Sequence, residues 1–285
     1  MAGYETKAYA KINLGLDVLG KRSDGYHEVK MVMQTVDICD VLSFERTKSG
    51  IVISTDSGEI PTDGDNLIYK AVKLLFDKYD IEEGVSIHLQ KKIPIAAGMA
   101  GGSSDAAAAL KGINEIFRLG CSLEELKALG VKIGADVPYC VMGKTALAEG
   151  IGEKLTMLPP MPDCLILVAK PDIDVSTKYV YEHLDEREAY EHPDIDGMVR
   201  AIREGSMEGI LERMGNVLES VTIPAHPVIG ILKKRMAELG AEGSLMSGSG
   251  PTVFGIFTDE ERAQKAFLQL KEEKQAKQIF LTRNS

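Results

Sequence analysis

The chain has 285 residues, which is enough to bury a substantial core in one large domain or two ordinary ones. Its net charge of −10 argues against nucleic acid and anionic membranes as partners, because both need a basic surface. No apolar run is long enough to span a bilayer, and the N-terminus has no signal-peptide pattern, so we expect a cytoplasmic protein.

The first half of the sequence predicts a mixture of strands and helices. Residues 8–19 and 36–44 have the pattern of strands, joined through a polar turn at residues 21–25. Asp65 is the predicted N-cap of a helix from Asn66 to about Tyr79, because apolar pairs recur on one face. A strand over residues 85–89 follows, and a second helix is predicted from about residue 104 to residue 119, before Gly120.

The proline cluster at residues 159–162 is the most plausible domain boundary, so the predicted domains are residues 1–160 and 161–285. Beyond it we expect a strand at residues 165–169, a charged helix face or loop at residues 179–191, a helix at residues 227–239 and a strand at residues 252–257. Strands and helices do not alternate regularly, which favours the α+β class.

The four cysteines are widely spaced and form no C-x-x-C pair, so they indicate free thiols rather than zinc ligands or a disulfide framework. They are Cys39, Cys121, Cys140 and Cys164.

A glycine-rich segment, PIAAGMAGGSSDAAAAL at residues 94–110, changes from a loop of small residues into an alanine-rich helix. A strand, a glycine loop and a helix N-terminus together form an anion site, with Ser103 or Ser104 as the expected N-cap and Asp105 in the first turn. The alternative is a tight turn that needs glycine only for its backbone. The segment matches neither G-x-x-x-x-G-K-[ST] nor G-x-G-x-x-G.

Three further residues are candidates for chemistry. Lys11 and Asn13 project from one face of an apolar strand. A lysine at such a position is usually an edge residue or a snorkelling one, and the alternative is a charge held inside a cleft. Asp136 lies in a turn flanked by glycine and proline, and by itself it indicates a turn aspartate rather than a catalytic one. The segment MSGSGPTVF at residues 246–254 is either a simple hairpin or a second backbone-rich loop that closes over the first.

Taken together, AKINLGLDVLGKRSDGYHE, IPIAAGMAGGSSDAA, IGADVPYC and MSGSGPTVFG resemble the GHMP kinases, the family of galactokinase and the homoserine, mevalonate and phosphomevalonate kinases. They are similar to the branch that phosphorylates the 2-hydroxyl of a cytidylylated methylerythritol in the non-mevalonate isoprenoid pathway. The resemblance covers residues 8–257. It implies an N-terminal domain with a left-handed crossover, a ferredoxin-like C-terminal domain, an active site between them, and the use of ATP and Mg²⁺.

The resemblance also implies roles for individual residues. Asp136 matches the catalytic base, and Lys11 matches the lysine that stabilises developing charge. Tyr26 and His27 match the cytidine site, with Asn13 also on the substrate side, and Tyr181 is expected to close the other face of the base. The residues expected to hold ATP are Asn66, on the adenine side, and Pro94, Ala96, Ala97, Gly98, Met99, Ala100, Gly101, Gly102, Ser103 and Ser104 in the loop.

The loop departs from the family pattern at Met99 and Ala100, where leucine and the first of three consecutive glycines are usual. Ala100 is expected to be tolerated only with a negative φ. Two other functions stay open: another small-molecule kinase of the same family, of the homoserine or mevalonate type, and a nucleotide-binding relative without catalysis. Monomer and homodimer are both compatible with the sequence, and it does not identify Mg²⁺ ligands.

Overall fold

The structure, a computed structural model, describes residues 3–187 and 189–285. These residues form two compact units that alternate along the chain. Unit 1 comprises residues 3–10, Ile38–Ile95 and Ala100–Gly143, and unit 2 comprises Lys11–Asp37, Ala96–Met99 and Lys144–Ser285. The predicted boundary at residue 160 does not separate these units, so the domains 1–160 and 161–285 stay a prediction.

The described residues contain eleven strands, which are β1 (Tyr4–Lys21), β2 (His27–Thr47), β3 (Ile51–Thr55), β4 (Gly84–Gln90), β5 (Thr145–Gly150), β6 (Lys154–Met157), β7 (Leu165–Lys170), β8 (Gly215–Asn216), β9 (Gly243–Met246), β10 (Val253–Phe257) and β11 (Gln278–Arg283).

Ten helices lie in the same described part of the chain. They are α1 (Leu67–Tyr79), α2 (Gly101–Ile116), α3 (Leu123–Val131), α4 (Val137–Met142), α5 (Thr177–Leu184), α6 (Ile195–Glu204), α7 (Met207–Leu211), α8 (Glu219–Ala225), α9 (Pro227–Glu238) and α10 (Glu260–Glu273).

The elements predicted from the sequence are present, with shifted ends. The first two strands are longer than predicted, and α2 begins three residues earlier than expected and ends at Ile116. The predicted capping role of Asp65 is wrong, because the side chain of Asn66 accepts the hydrogen bond from the Ile68 amide. The charged stretch at residues 179–191 begins within α5, and one of its residues, Glu188, lies outside the described residues.

A seven-stranded sheet has the order β3-β4-β2-β1-β8, with β5 paired to β2 and β6 to β5. In unit 1, β3 is parallel to β4 and connected to it through α1, which is a crossover connection, and β4 is antiparallel to β2. In unit 2, residues 29–34 of β2 pair with β5, and Gly15 and Leu16 of β1 pair with β8. The hand of the crossover stays a prediction.

The second sheet lies entirely in unit 2 and has the order β11-β7-β10-β9, with every pair antiparallel. Helices lie between β7 and β9 and between β10 and β11. This βαββαβ order is the ferredoxin-like arrangement that the resemblance implies.

The core of unit 1 explains the alanine-rich composition of α2. Ala106 to Leu110 are at most 3% exposed, and α2 packs against α1 and α4. The apolar face of α1 includes Ala71, Val72 and Leu75, each fully buried. The small residues along α2 allow its neighbouring helices to pack closely against it. The apolar pairs that predicted α1 from the sequence form the face of that helix that is buried in the core.

No helix among residues 3–187 and 189–285 is both long and apolar enough to cross a membrane.

Candidate functional site

The start of α2 lacks the side-chain cap that the sequence predicts. The N-cap is Ala100, which makes no capping hydrogen bond, and Ser103 and Ser104 lie inside the helix. The serines are therefore not N-caps as predicted. The first N–H groups of any helix have no partner within the helix, so the amides of Gly101, Gly102 and Ser103 are oriented to bind an anion.

Ala100 has φ +57° and ψ 30°, which is the left-handed region. The expectation of a negative φ at this position is therefore wrong. A residue with a Cβ atom is strained in this conformation by roughly 1–2 kcal/mol, and glycine is not. The turn into α2 requires the left-handed conformation, so Ala100 occupies a position that favours glycine.

Gly98 is constrained by its packing in unit 2. A Cβ atom at Gly98 would lie 2.2 Å from the carbonyl oxygen of Ser247, and φ at Gly98 is +68°. The hydroxyl of Ser247 donates a hydrogen bond of 2.9 Å to the carbonyl of Gly98. The segment at residues 247–252 connects β9 to β10 as a hairpin and also contacts the first glycine loop, so it is more than a simple hairpin.

In unit 1, the turn that carries Asp136 lies beside the start of α2. A methyl group at Gly134 would lie 3.9 Å from the hydroxyl oxygen of Ser103. The hydroxyl of Ser104 donates to the carbonyl of Tyr9 at 2.6 Å and contacts the Cys140 sulfur at 3.3 Å. Ser104 is thus committed to the fold, whereas Ser103 is half-buried next to the Gly134 turn.

Asp136 is the N-cap of α4, but its side chain makes no capping hydrogen bond. Other aspartates at this position do cap: Asp194 accepts from the Gly197 amide and Asp259 from the Arg262 amide. A turn aspartate is normally retained for that bond. The half-buried carboxylate of Asp136 is therefore not explained by helix capping.

A buried ionic cluster supports the turn at the start of α2. The Lys91 ammonium contacts the carboxylates of Asp40 and Asp105, the latter at 3.0 Å, and all three side chains are at most 7% exposed. Asp40 also accepts hydrogen bonds from the amides of Lys92 and Ile93. Asp105 lies beyond the first turn of α2, so its predicted interaction with the N-terminal dipole is wrong, and its partner is Lys91.

Burial raises the pKa of Asp105 to about 8, while the Lys91 charge opposes this rise and the Asp40 carboxylate adds to it. Its Oδ1 atom has no hydrogen-bond partner among the described residues. Two carboxylates near one ammonium cannot both ionise at low cost, so we interpret Asp105 as the member that holds a proton at neutral pH.

Lys11 is a buried lysine and not an edge residue. It is 4% exposed, and its ammonium donates to Oδ1 of Asn13 at 2.8 Å. Asn13 is fully buried and its amide nitrogen lies 3.4 Å from the Met31 sulfur. The backbone amide of Lys11 donates to the carbonyl of Met99 at 3.2 Å, which links β1 to the first part of the glycine loop within unit 2.

The predicted cytidine-side residues lie together in unit 2. The rings of His27 and Tyr181 are 4.8 Å apart between centroids and tilted by 37°. Nε2 of His27 lies 2.7 Å from Oδ1 of Asp185, whose other oxygen accepts from Lys21 at 2.7 Å. Tyr26 is 58% exposed, in a turn closed by a hydrogen bond from the Arg22 amide to the Tyr26 carbonyl.

The other predicted ATP residues are structurally varied. Pro94, Ala97 and Met99 are buried, and Ala96 and Gly102 are exposed. Asn66 is 9% exposed and uses both ends of its amide, since Oδ1 caps α1 and Nδ2 donates to the Pro61 carbonyl at 2.6 Å. Lys11 lies in unit 2 and Asp136 in unit 1, and each is described within its own unit.

Sequence reasoning missed the residues that support these groups. Asp40 is flanked by Ile38 and Cys39 on one side and by Val41 and Leu42 on the other, and a carboxylate in this short apolar stretch was the available signal for the buried cluster. Asp185 carries no comparable signal, because it is one of several charges in a charged stretch. In the described part of the chain, no group of three or more His, Cys, Asp or Glu side chains could hold a metal ion.

Comparisons with known proteins identify the family to which the chain belongs. Residues 66–144 match the GHMP kinases N terminal domain, and residues 198–276 match the GHMP kinases C terminal domain. The chain belongs to the GHMP kinases, and it has their two-domain fold of mixed α and β structure. It is therefore an enzyme, a kinase that acts on a small molecule.

Within this family, the chain is 54% identical over 283 residues to a protein of Lachnospira eligens named 4-diphosphocytidyl-2-C-methyl-D-erythritol kinase, covering 99% of this chain and 98% of that protein. A crystal structure of 4-(cytidine 5'-diphospho)-2C-methyl-D-erythritol kinase has a TM-score of 0.84, with 31% identity and 99% coverage of both chains. The homoserine kinase from Cytophaga hutchinsonii has a TM-score of 0.77 at 23% identity, with 99% of this chain and 94% of that chain covered, which shows the shared fold alone.

Proposed function

We propose that the protein transfers the γ-phosphoryl group of ATP to the 2-hydroxyl of 4-diphosphocytidyl-2-C-methyl-D-erythritol, in the cytoplasm, as a step of the non-mevalonate route to isoprenoid precursors. The relatives of that name support this substrate. The observation that carries the proposal is the contact between His27 and Tyr181, 4.8 Å between ring centroids. This pair would bind a nucleobase, which homoserine and mevalonate lack.

The backbone at the start of α2 fits the phosphates of ATP. A 16-residue helix whose N-cap contributes no side-chain hydrogen bond leaves its first amides available to phosphate oxygens. The amides of residues 97–103 are the proposed phosphate ligands. The predicted contribution of the Ser104 amide is wrong, because that amide donates to the Ala100 carbonyl at 2.8 Å. Of the two serines, we assign the phosphate or Mg²⁺ contact to Ser103, because the Ser104 hydroxyl already donates to Tyr9. Asn66 stays a proposed adenine-side residue.

Mg²⁺ fits a site of this kind without a dedicated cluster of protein carboxylates, because it keeps several waters and binds mainly to phosphate oxygens. When bound, it would neutralise charge on the transferred group. The Ser103 hydroxyl and the Asp136 carboxylate are the unit 1 oxygens that could contribute ligands.

Asp136 is the proposed general base. The 2-hydroxyl oxygen forms a bond to the γ-phosphorus, its proton passes to the Asp136 carboxylate, and the bond from the γ-phosphorus to the bridging oxygen breaks as ADP leaves. The proposed role of Lys11 is to stabilise the negative charge that develops on the reacting oxygens. The buried amide of Asn13 would hold Lys11 in position for this, in addition to its proposed contact with the substrate.

The proposed cytidine site consists of Tyr26, His27 and Tyr181. Tyr26 is unusually exposed for an aromatic residue, which suits a ring that stacks on an incoming base. His27 can hydrogen-bond the polar edge of the base, and Tyr181 would close the other face of the base.

The test is a coupled ADP-release assay with three acceptors: the cytidylylated methylerythritol, homoserine and mevalonate. We expect turnover of the first alone. If only homoserine or only mevalonate is phosphorylated, the protein is another kinase of the family, and if none is, it is a nucleotide-binding relative without this chemistry. Size-exclusion chromatography with light scattering would decide between monomer and homodimer.

A further inference from the structure

The imidazole of His27 makes one hydrogen bond to the residues that the structure describes. Its Nε2 atom lies 2.7 Å from Oδ1 of Asp185, which follows the last residue of α5. Oδ2 of Asp185 accepts from Lys21, at the end of β1, at 2.7 Å. The side chains of Lys21, Asp185 and His27 are 56%, 27% and 10% exposed. This row of hydrogen-bonded side chains therefore leads inward from solvent to the imidazole ring.

Asp185 is placed to accept a hydrogen bond from the Nε2–H group of His27. Partial burial alone would raise the pKa of Asp185, but the hydrogen bonds from Lys21 and His27 outweigh it, and the net effect lowers the pKa of that carboxyl. An ionised carboxylate only accepts hydrogen bonds. In the neutral imidazole the proton is therefore on Nε2, and the carboxylate sets the tautomer as it does for histidines at catalytic and metal sites.

The remaining nitrogen, Nδ1, is then an acceptor. The Tyr181 ring packs against the His27 ring at 4.8 Å between centroids. The hydrogen bond that His27 makes to the described residues uses Nε2, and Nδ1 has no hydrogen-bond partner among them. An acceptor at this position fits an N–H group of the base. The 4-amino group of cytosine is such a donor, whereas uracil has a carbonyl oxygen at the same position.

We propose that Asp185 is a positioning residue that holds His27 in its Nε2–H tautomer and thereby makes the site select a 4-amino pyrimidine over a 4-oxo pyrimidine. This role rests on the proposed function, because it needs the cytidine part of the substrate beside His27. Leaving one polar group unpaired in a partly buried site weakens binding by about tenfold to a hundredfold, which is the discrimination that we expect between the two bases.

The variant Asp185→Asn tests the role. The amide can either accept from or donate to Nε2, so it no longer sets the tautomer. We expect the ratio of kcat/KM for the cytidine substrate to kcat/KM for its uridine analogue to fall about tenfold or more, mainly through KM for the cytidine substrate. The matched control Asp77→Asn removes another lysine-paired carboxylate, 3.0 Å from Lys73 and exposed, and should leave the ratio unchanged.

A second measurement is independent of turnover. Two-dimensional ¹⁵N NMR of the imidazole nitrogens, with the His27 signal assigned by its loss in His27→Asn, should report the Nε2–H tautomer in the wild type and a mixture in Asp185→Asn. A wild-type ratio and an unchanged tautomer in Asp185→Asn would overturn the proposal.

The two proposals fail in different ways. If the wild-type enzyme does not phosphorylate the cytidine substrate, the proposed function and the base-selecting role are both wrong. The NMR measurement would still test the hydrogen bond from His27 to Asp185. If the wild type turns over both the cytidine and uridine substrates equally well, only the selection by Asp185 is overturned.

Discussion

Each unit contains an ionic chain of a lysine, an aspartate and a third titratable group, at different depths. In unit 1, Lys91, Asp40 and Asp105 are almost completely buried. In unit 2, Lys21, Asp185 and His27 range from 56% to 10% exposed. Burial makes the first cluster a determinant of folding, because an unpaired charge there is costly. The second is more exposed, so we expect its loss to change mainly what the proposed site binds.

The largest expected effect comes from breaking the buried cluster. Asp40→Asn removes the charge that faces Lys91 and disturbs two backbone hydrogen bonds, from Lys92 and Ile93. We expect a loss of about 3–5 kcal/mol in the free energy of unfolding, measured by urea titration. Asp185→Asn is the matched change in the exposed chain and should have a much smaller effect. Equal losses in the two variants would show that depth does not distinguish these clusters.

The carboxylate of Asp136 is a third case, because we expect its loss to change the catalytic rate rather than the stability of the protein. Asp136→Asn should lower kcat by at least about 10²-fold, equivalent to about 2.7 kcal/mol in the activation barrier, since the amide cannot accept the proton of the hydroxyl. ATP binding, followed by calorimetry, should persist.

The control for Asp136 is Asp259→Asn, another aspartate at a helix N-cap, whose side chain does cap its helix. It should leave kcat unchanged, because asparagine also caps well. Near-normal turnover by Asp136→Asn would remove Asp136 from the role of base.

The pH dependence of stability tests the proton on Asp105. The pKa of Asp105 is raised to about 8 in the folded state by burial, with Lys91 and Asp40 facing it. Its contribution to stability is therefore complete at low pH and is lost as the pH rises toward 8, by at most about 1.4 kcal/mol per pH unit.

The variant Asp105→Asn carries no such proton. Its stability relative to the wild type should therefore rise between pH 5 and pH 8 and level off above it, as measured by urea unfolding at each pH. A constant difference between the two proteins over this range would mean that Asp105 is ionised throughout.

The smallest expected effect concerns the backbone at the start of α2. Ala100→Gly removes the strain of a positive φ and should stabilise the protein by about 1 kcal/mol or less. The control Ala128→Gly, at an exposed position within α3, should instead destabilise it by about 1 kcal/mol. Destabilisation by both changes would contradict the left-handed conformation at Ala100.

The sequence predicted those parts of the fold and site that are local. The α2 helix, the glycine loop before it and the alternating strand β4 follow from neighbouring residues, and so does the cap of α3 by Ser122 in retrospect. The glycine loop could be recognised in the sequence because its proposed function depends on backbone amides that are contiguous in the chain.

The missed features depend on residues that are distant in the chain. Gly98 is glycine because Ser247, 149 positions away, packs against it, and His27 is oriented by Asp185, 158 positions away. The sign of φ at Ala100 was predicted wrongly because the Cβ atom of alanine disfavours the left-handed conformation, while the turn into α2 imposes that conformation. Such choices are made by tertiary contacts, which a single sequence does not reveal.

The short strand β8 has a consequence for synthesis of the chain. Asn216 pairs with Leu16 of β1, so about 200 residues of polypeptide separate the two partners. At a synthesis rate of about 5–20 residues per second, roughly 10–40 s pass on the ribosome between the synthesis of β1 and that of β8. During that interval β1 presents unpaired backbone groups, which makes the nascent chain, rather than the finished enzyme, the state most exposed to aggregation.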